Sequence, residues 1–138
     1  MDKQLIKDFL HKHELCVIST IDDKGNPGSA VVGFSENDSL ELMIGTDSES
    51  RKYHNILKRP KVSVVVGWDD GITVQYEGEA RLLEGDELSE YQKNHFAKMP
   101  DAEKYKDLPT EVYFAISPKW IRYTDCTKEP WEVKEITL

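Results

Sequence analysis

The eleven residues 51–61, RKYHNILKRPK, hold five of the chain's 18 Lys and Arg residues and no Asp or Glu. The chain around them is acidic, with a formal net charge of −8. They form a positive island whose two ends meet different physics. The pattern predicts a short helix over residues 48–59, ended by Pro60. Lys58 and Arg59 then sit at its C-terminus, where cations complement the helix dipole. Arg51 and Lys52 fall in the first turn, where cations oppose the dipole unless an anion is present. That turn also presents backbone N–H groups with no intrahelical acceptor. Thr46, Ser48 and Ser50 add hydroxyls. Cations, hydroxyls and a helix N-terminus together make a phosphate site. A solvated basic turn is the other reading of the same residues.

Other residues with chemical potential are placed less tellingly. His11 and His13 lie two apart on a predicted helix and do not share a face, so no metal site is expected there. His54 follows Arg51 by three residues, close enough to approach a ligand, although a surface histidine is the commoner case. The acid pairs Asp22–Asp23 and Asp69–Asp70 stand in turn sequences, DDKGNP and DDG, and read as turn chemistry. There is no G-x-S-x-G and no G-x-G-x-x-G, so neither a nucleophile elbow nor a Rossmann flavoprotein is indicated. No catalytic acid or base can be named. Cys16 and Cys126 form no C-x-x-C pair and read as free thiols of a reducing cytosol, Cys16 within the core.

The elements that must position these residues are mostly short strands. Residues 2–13 predict an amphipathic helix carrying Leu5, Ile6, Phe9 and Leu10 on one face. Strands are expected over 15–21, 28–35, 40–45, 61–68 and 72–83, then over 111–117, 119–124 and the tail 131–138. A helix over 87–98, capped by Asp86, interrupts them. Without regular βαβ alternation, the expected architecture is one mainly β domain over residues 1–138, an antiparallel barrel or sandwich with peripheral helices. The acidic charge argues against nucleic acid or an anionic membrane as partner. No apolar run approaches the roughly 20 residues of a membrane span. The charged N-terminus lacks the apolar stretch of a signal peptide, so a cytoplasmic protein is expected.

Residues 42–68, LMIGTDSESRKYHNILKRPKVSVVVGW, resemble the FMN-binding core of the pyridoxamine-phosphate-oxidase-like split barrels. That family shows a strand ending in Thr, a short loop, Ser-Arg-Lys opening a helix, a proline and a Val-rich strand. Thr46, Ser50, Arg51, Lys52, Pro60 and residues 62–66 fit in order and spacing. The later EGEARL, residues 77–82, resembles the family's Gly-x-Ala. The resemblance implies an antiparallel split β-barrel with FMN as cofactor. Arg51 and Lys52 would bind its phosphate, with hydrogen bonds from Thr46 and Ser50 and with Gly45 alongside. Ser29, Ala30, Val31 and Val32 would run beside the isoalloxazine ring, mostly through backbone groups. Thr73 occupies the position where the family usually has a Gln, and Gln75 lies two residues on. The family is typically a homodimer with FMN between subunits.

The chain departs from true pyridoxamine-phosphate oxidases at its end, KWIRYTDCTKEPWEVKEITL, which has no Arg-x-His. It more closely resembles the short, stress-protein-like members. The expected function is therefore a flavin-dependent oxidoreductase acting on an undefined small molecule. Its rivals are a non-catalytic flavin-binding sensor, carrier or stress protein, or a barrel holding deazaflavin or haem.

Overall fold

The computed structural model describes residues 2–138. Seven strands alternate inward and outward side chains. They are β1 (Leu15–Ile21), β2 (Pro27–Glu36), β3 (Leu42–Asp47), β4 (Lys61–Val66), β5 (Ile72–Leu82), β6 (Glu111–Asp125) and β7 (Glu132–Thr137). Their order is β3-β2-β1-β4-β5-β6-β7, every pairing is antiparallel, and β3 also pairs with β6. That last pairing closes six strands into a barrel, as the pattern predicts.

β6 is one strand where the sequence suggests two. Its first half pairs with β3 and its second half with β7, while β5 follows it along the other edge. The interruption at Pro118 is absorbed by a register shift at Glu77/Gly78. A Cβ on Gly78 would lie 2.4 Å from the Ser117 carbonyl oxygen, so glycine is required there.

The inward residues Ile18, Phe34, Ile44, Val64, Tyr76, Phe114 and Ile121 are at most 1% exposed. Burying each such side chain stabilises the fold by about 1.5–3 kcal/mol. The Tyr76 hydroxyl is satisfied inside this core, donating to the carbonyls of Leu40 (2.7 Å) and Ile116 (2.9 Å). Leu40 has a left-handed φ of 62°, so it precedes β3 rather than opening it. Helix α1 (Asp2–His11) adds Ile6, Phe9 and Leu10 to the core, and α2 (Arg51–Lys58) adds Ile56. Helix α3 (Gly85–Lys98) begins two residues earlier than expected. It covers a second cluster on the outer face, built from Met43, Leu83, Tyr113 and Ala115. Among the described residues, no helix is long and apolar enough to cross a membrane.

One irregularity positions the site. β2 meets β3 only through Phe34, Ser35 and Glu36. From residue 33 back to residue 27 it pairs with β1 alone. Beyond Ile44, β3 pairs with β6 alone. The barrel is split along this seam, and one backbone edge of β2 is left without a strand partner among the described residues.

Candidate functional site

The chain leaves β3 through a tight turn in which the Ser50 N–H donates to the Asp47 carbonyl (2.9 Å). Ser50 then caps α2, with extended backbone and its Oγ accepting from the Tyr53 N–H at 3.3 Å. Thr46, buried at the end of β3, places its Oγ1 3.2 Å from the Ser50 Oγ. The next N–H groups, of Arg51 and Lys52, have no intrahelical acceptor. They open beside the split seam.

A cleft of ≈ 270 Å³ lies there. Arg51, Lys52 and Asn55 of α2 form one wall; Ser29, Ala30 and Gly28 of β2 form another. Ile18 and Thr20 of β1 and Asp22 and Asn26 of the β1–β2 turn complete its lining. The Asn55 side-chain amide donates to the Thr20 Oγ1 at 3.0 Å, which fixes α2 against β1.

The two ends of α2 differ in their partners. Lys58 Nζ lies 3.1 Å from Asp23 Oδ2, and Arg59 Nη1 lies 3.0 Å from Asp23 Oδ1. Hydrogen bonds from Arg59 and Lys58 hold the Asp23 carboxyl below its ordinary range. Among the described residues, no carboxylate forms an ion pair with Arg51 or Lys52. Two cations at the wrong end of a dipole, beside N–H groups with no intrahelical acceptor, are an arrangement that an anion would stabilise.

A family model described as pyridoxamine 5'-phosphate oxidase matches residues 2–125. The chain belongs to that family. General stress protein 26 of Bacillus subtilis (strain 168) is 30% identical over 124 residues, covering 87% of this chain and 86% of its own. The solved General Stress Protein 26 of Bacillus anthracis str. Sterne is 26% identical, with a TM-score of 0.76 over 99% of this chain and 98% of that one. Two more distant structures share the fold. One is a pyridoxamine 5'-phosphate oxidase-related, FMN-binding protein of Nostoc punctiforme PCC 73102, with TM-score 0.72, 15% identity and coverage of 98% and 95%. The other is a heme-binding protein of Mycobacterium smegmatis, with TM-score 0.85, 15% identity and coverage of 99% and 58%.

In this oxidase-family barrel the expected site residues divide into three groups. Ser29, Ala30, Arg51 and Lys52 meet in the cleft. Thr46 and Ser50 lie behind it, with hydroxyls facing each other and Ser50 committed to the helix cap. The others point elsewhere. Val32 is paired with Cys16 on the inner face, while Val31 is paired with Val17 on the outer face and is 60% exposed. Gly45 pairs with Tyr113 on β6, and a Cβ there would meet Tyr113 and Glu111 at 3.0 Å, which gives this glycine a packing reason. Thr73 and Gln75 lie on the outer face of β5, three strand spacings from β2, or about 14 Å.

Thr20, Asp22, Asn26 and Asn55 are cleft residues that the sequence reading did not select. Asn55 carried a signal, since it lies four residues after Arg51 and three after Lys52 on one helical face. His54 is exposed and lies outside the cleft lining, against the Tyr53 ring.

Proposed function

We propose that this protein binds FMN and is an oxidoreductase acting on a small molecule, as a homodimer in the cytoplasm. The observation that carries the reading is Arg51 and Lys52 in the first turn of α2, without an ion-pair partner among the described residues, beside the edge of β2 that no described strand covers. Arg51, Lys52 and their backbone N–H groups would hold the phosphate. The free N–H and C=O groups along residues 28–32 would take the polar edge of the flavin ring. Bound flavin supplies hydride or electron transfer, and the chain supplies binding and orientation.

The family match and the FMN-binding neighbour support flavin. The heme-binding neighbour raises the rival cofactor. Haem iron takes an axial ligand from His, Cys, Met or Tyr. The described lining of the cleft holds Ile, Thr, Asp, Asn, Gly, Ser, Ala, Arg and Lys, with no ring nitrogen, sulfur or phenol. That donor set supports a phosphorylated flavin over haem in this cleft.

The dimer reading has its own support. Val31, Val17 and Val65 form one cross-strand row on the outer face, continued by Gln75. Leu15 and Trp68 are also exposed, at 49% and 51%. A second copy packed on this row would bury it and take Gln75 out of solvent.

The test is the absorbance spectrum and mass of the small molecule that co-purifies. FMN is expected; a Soret band would overturn the reading. Turnover with a reduced nicotinamide donor and an organic acceptor separates an oxidoreductase from a flavin carrier. Sedimentation as a monomer that still holds FMN tightly would remove the dimer.

A further inference from the structure

We infer that Asp22 is a specificity-determining residue that makes the cleft accept a terminal phosphate monoester and reject a phosphate that continues into a second anionic group. The inference rests on the flavin reading above. Asp22 lines the same cleft as Arg51 and Lys52, and among the described lining residues it is the one carboxylate.

That carboxylate is fixed in place. Its Oδ1 accepts from the Lys24 N–H and the Asn26 N–H, both at 2.9 Å. The backbone repeats the tie: the Asp22 N–H donates to the Asn26 carbonyl, and the Gly25 N–H donates to the Asp22 carbonyl, each at 3.0 Å. Gly25, with φ of 80°, completes the turn. The next residue, Asp23, fastens the same turn to Lys58 and Arg59. A carboxylate held this way cannot swing aside when an anion enters. Bonds from Asn26 foremost, with a lesser contribution from Arg51, hold its carboxyl below the ordinary range, so it is charged at neutral pH.

Turn geometry accounts for the hydrogen bonds but not for the charge. An Asn at this position offers the same Oδ1 acceptor to the same two N–H groups. The negative charge is surplus to the turn, and it belongs to the lining of the same cleft as Arg51 and Lys52. A phosphate monoester stops at Arg51 and Lys52. The pyrophosphate of FAD, or the carboxylate-bearing tail of a deazaflavin cofactor, would carry further negative charge toward Asp22. In a partly enclosed cleft that repulsion is screened less than in bulk water.

The experiment measures dissociation constants for FMN, FAD and riboflavin with the intact protein and with Asp22→Asn, by flavin fluorescence. The unmodified protein is expected to prefer FMN to FAD, and Asp22→Asn to shrink that preference about tenfold, with riboflavin affinity unchanged. FMN and FAD affinities that change by the same factor would overturn the inference. So would loss of all three ligands, which would give Asp22 a purely structural role. If Asp22→Asn does not fold, Asp22→Ser, whose hydroxyl supports the same turn, carries the measurement. An unmodified protein that binds neither FMN nor FAD removes the flavin reading and this inference with it. An unmodified protein that binds FMN, paired with an unchanged ratio in the variant, removes the inference alone.

Discussion

The seam beside α2 and the contact between α3 and the barrel both gather ionisable groups, and they treat them in opposite ways. Under α3 the charges are consumed by the fold. Lys98 Nζ lies 2.6 Å from Glu36 Oε1, donates to the Leu10 carbonyl at 3.1 Å and sits 3.9 Å above the Phe34 ring. Both partners' side chains are at most 6% exposed. Glu41 receives Tyr91 (2.6 Å), Arg81 (2.9 Å) and Asn37 (3.0 Å). Burial pushes the Glu41 carboxyl up, but these bonds outweigh it and hold the group down at about 2. At the N-terminus of α2, Arg51 and Lys52 have no such partners among the described residues. Buried charge with every partner present is architecture. Charge left unpaired at an unfavourable dipole end, beside an open strand edge, is available to a ligand.

The largest effect expected from this contrast is on the α3 side. Lys98→Met leaves Glu36 buried with its main partner gone. Breaking a buried pair costs about 3–5 kcal/mol. His11 Nδ1, 2.7 Å from the other Glu36 oxygen, softens the loss, so about 3 kcal/mol is expected. Denaturant melts measure it, and a change within about 0.5 kcal/mol would show that the pair is dispensable.

On the α2 side, the double variant Arg51→Ala with Lys52→Ala should do the reverse. Each charge-assisted bond to a phosphate is worth about 1.5–3 kcal/mol, so losing two should lower FMN affinity by at least about a hundredfold. Riboflavin affinity should stay put, because it lacks the phosphate. The ligand-free protein should melt no lower than before, since two cations have left an unfavourable dipole end. Equal losses for FMN and riboflavin would break the assignment of this end to a phosphate.

These two regions were unequally legible in the sequence. The α2 island announced itself by composition, and helix position separated its ends. The core role of Cys16 was a local reading that the structure bears out, whereas the helix expected from residue 48 opens only at Arg51, because Ser50 serves as its cap. The free edge of β2 was not readable, because it depends on where pairing with β3 stops, and register is set by partners far along the chain. Pro118 suggested a strand break, yet a bulge opposite it lets β6 continue. Glu36 and Lys98 looked like an ordinary turn residue and an ordinary helix end. Only their meeting across sixty-two positions makes them a buried pair. The resemblance to a known family supplied the flavin, which no spacing of residues could.

His95 offers a pH-dependent way to separate the regions. It is buried beneath α3, with Nδ1 2.7 Å from the Ser35 hydroxyl, and burial pushes it down to about 4 from an ordinary 6.5. Between those values the unfolded chain binds a proton that the folded one refuses. The stabilisation is therefore present at neutral pH and is lost as the pH falls from about 6.5 toward 4. The loss should be on the order of 2 kcal/mol. His95→Gln, which can keep a bond to Ser35, should flatten melts taken between pH 7 and 4.5. The α2 double variant should keep the original slope. A slope that survives in His95→Gln would move the titration to another group.

The smallest expected effect is the most informative about α2 itself. Lys58→Ala with Arg59→Ala removes the same two charges as the double variant at the other end, from the same short helix. Here the cations favour the dipole and share Asp23, but the side chains are exposed and solvent-screened, and such pairs contribute little. Melting should shift only slightly downward, and FMN affinity should change by less than about threefold, the size expected from a distant screened charge. If position along the helix did not matter, the two double variants would weaken FMN equally, and the whole island would be a diffuse attractor. A hundredfold loss at one end against a threefold one at the other would locate the phosphate at the first turn of α2.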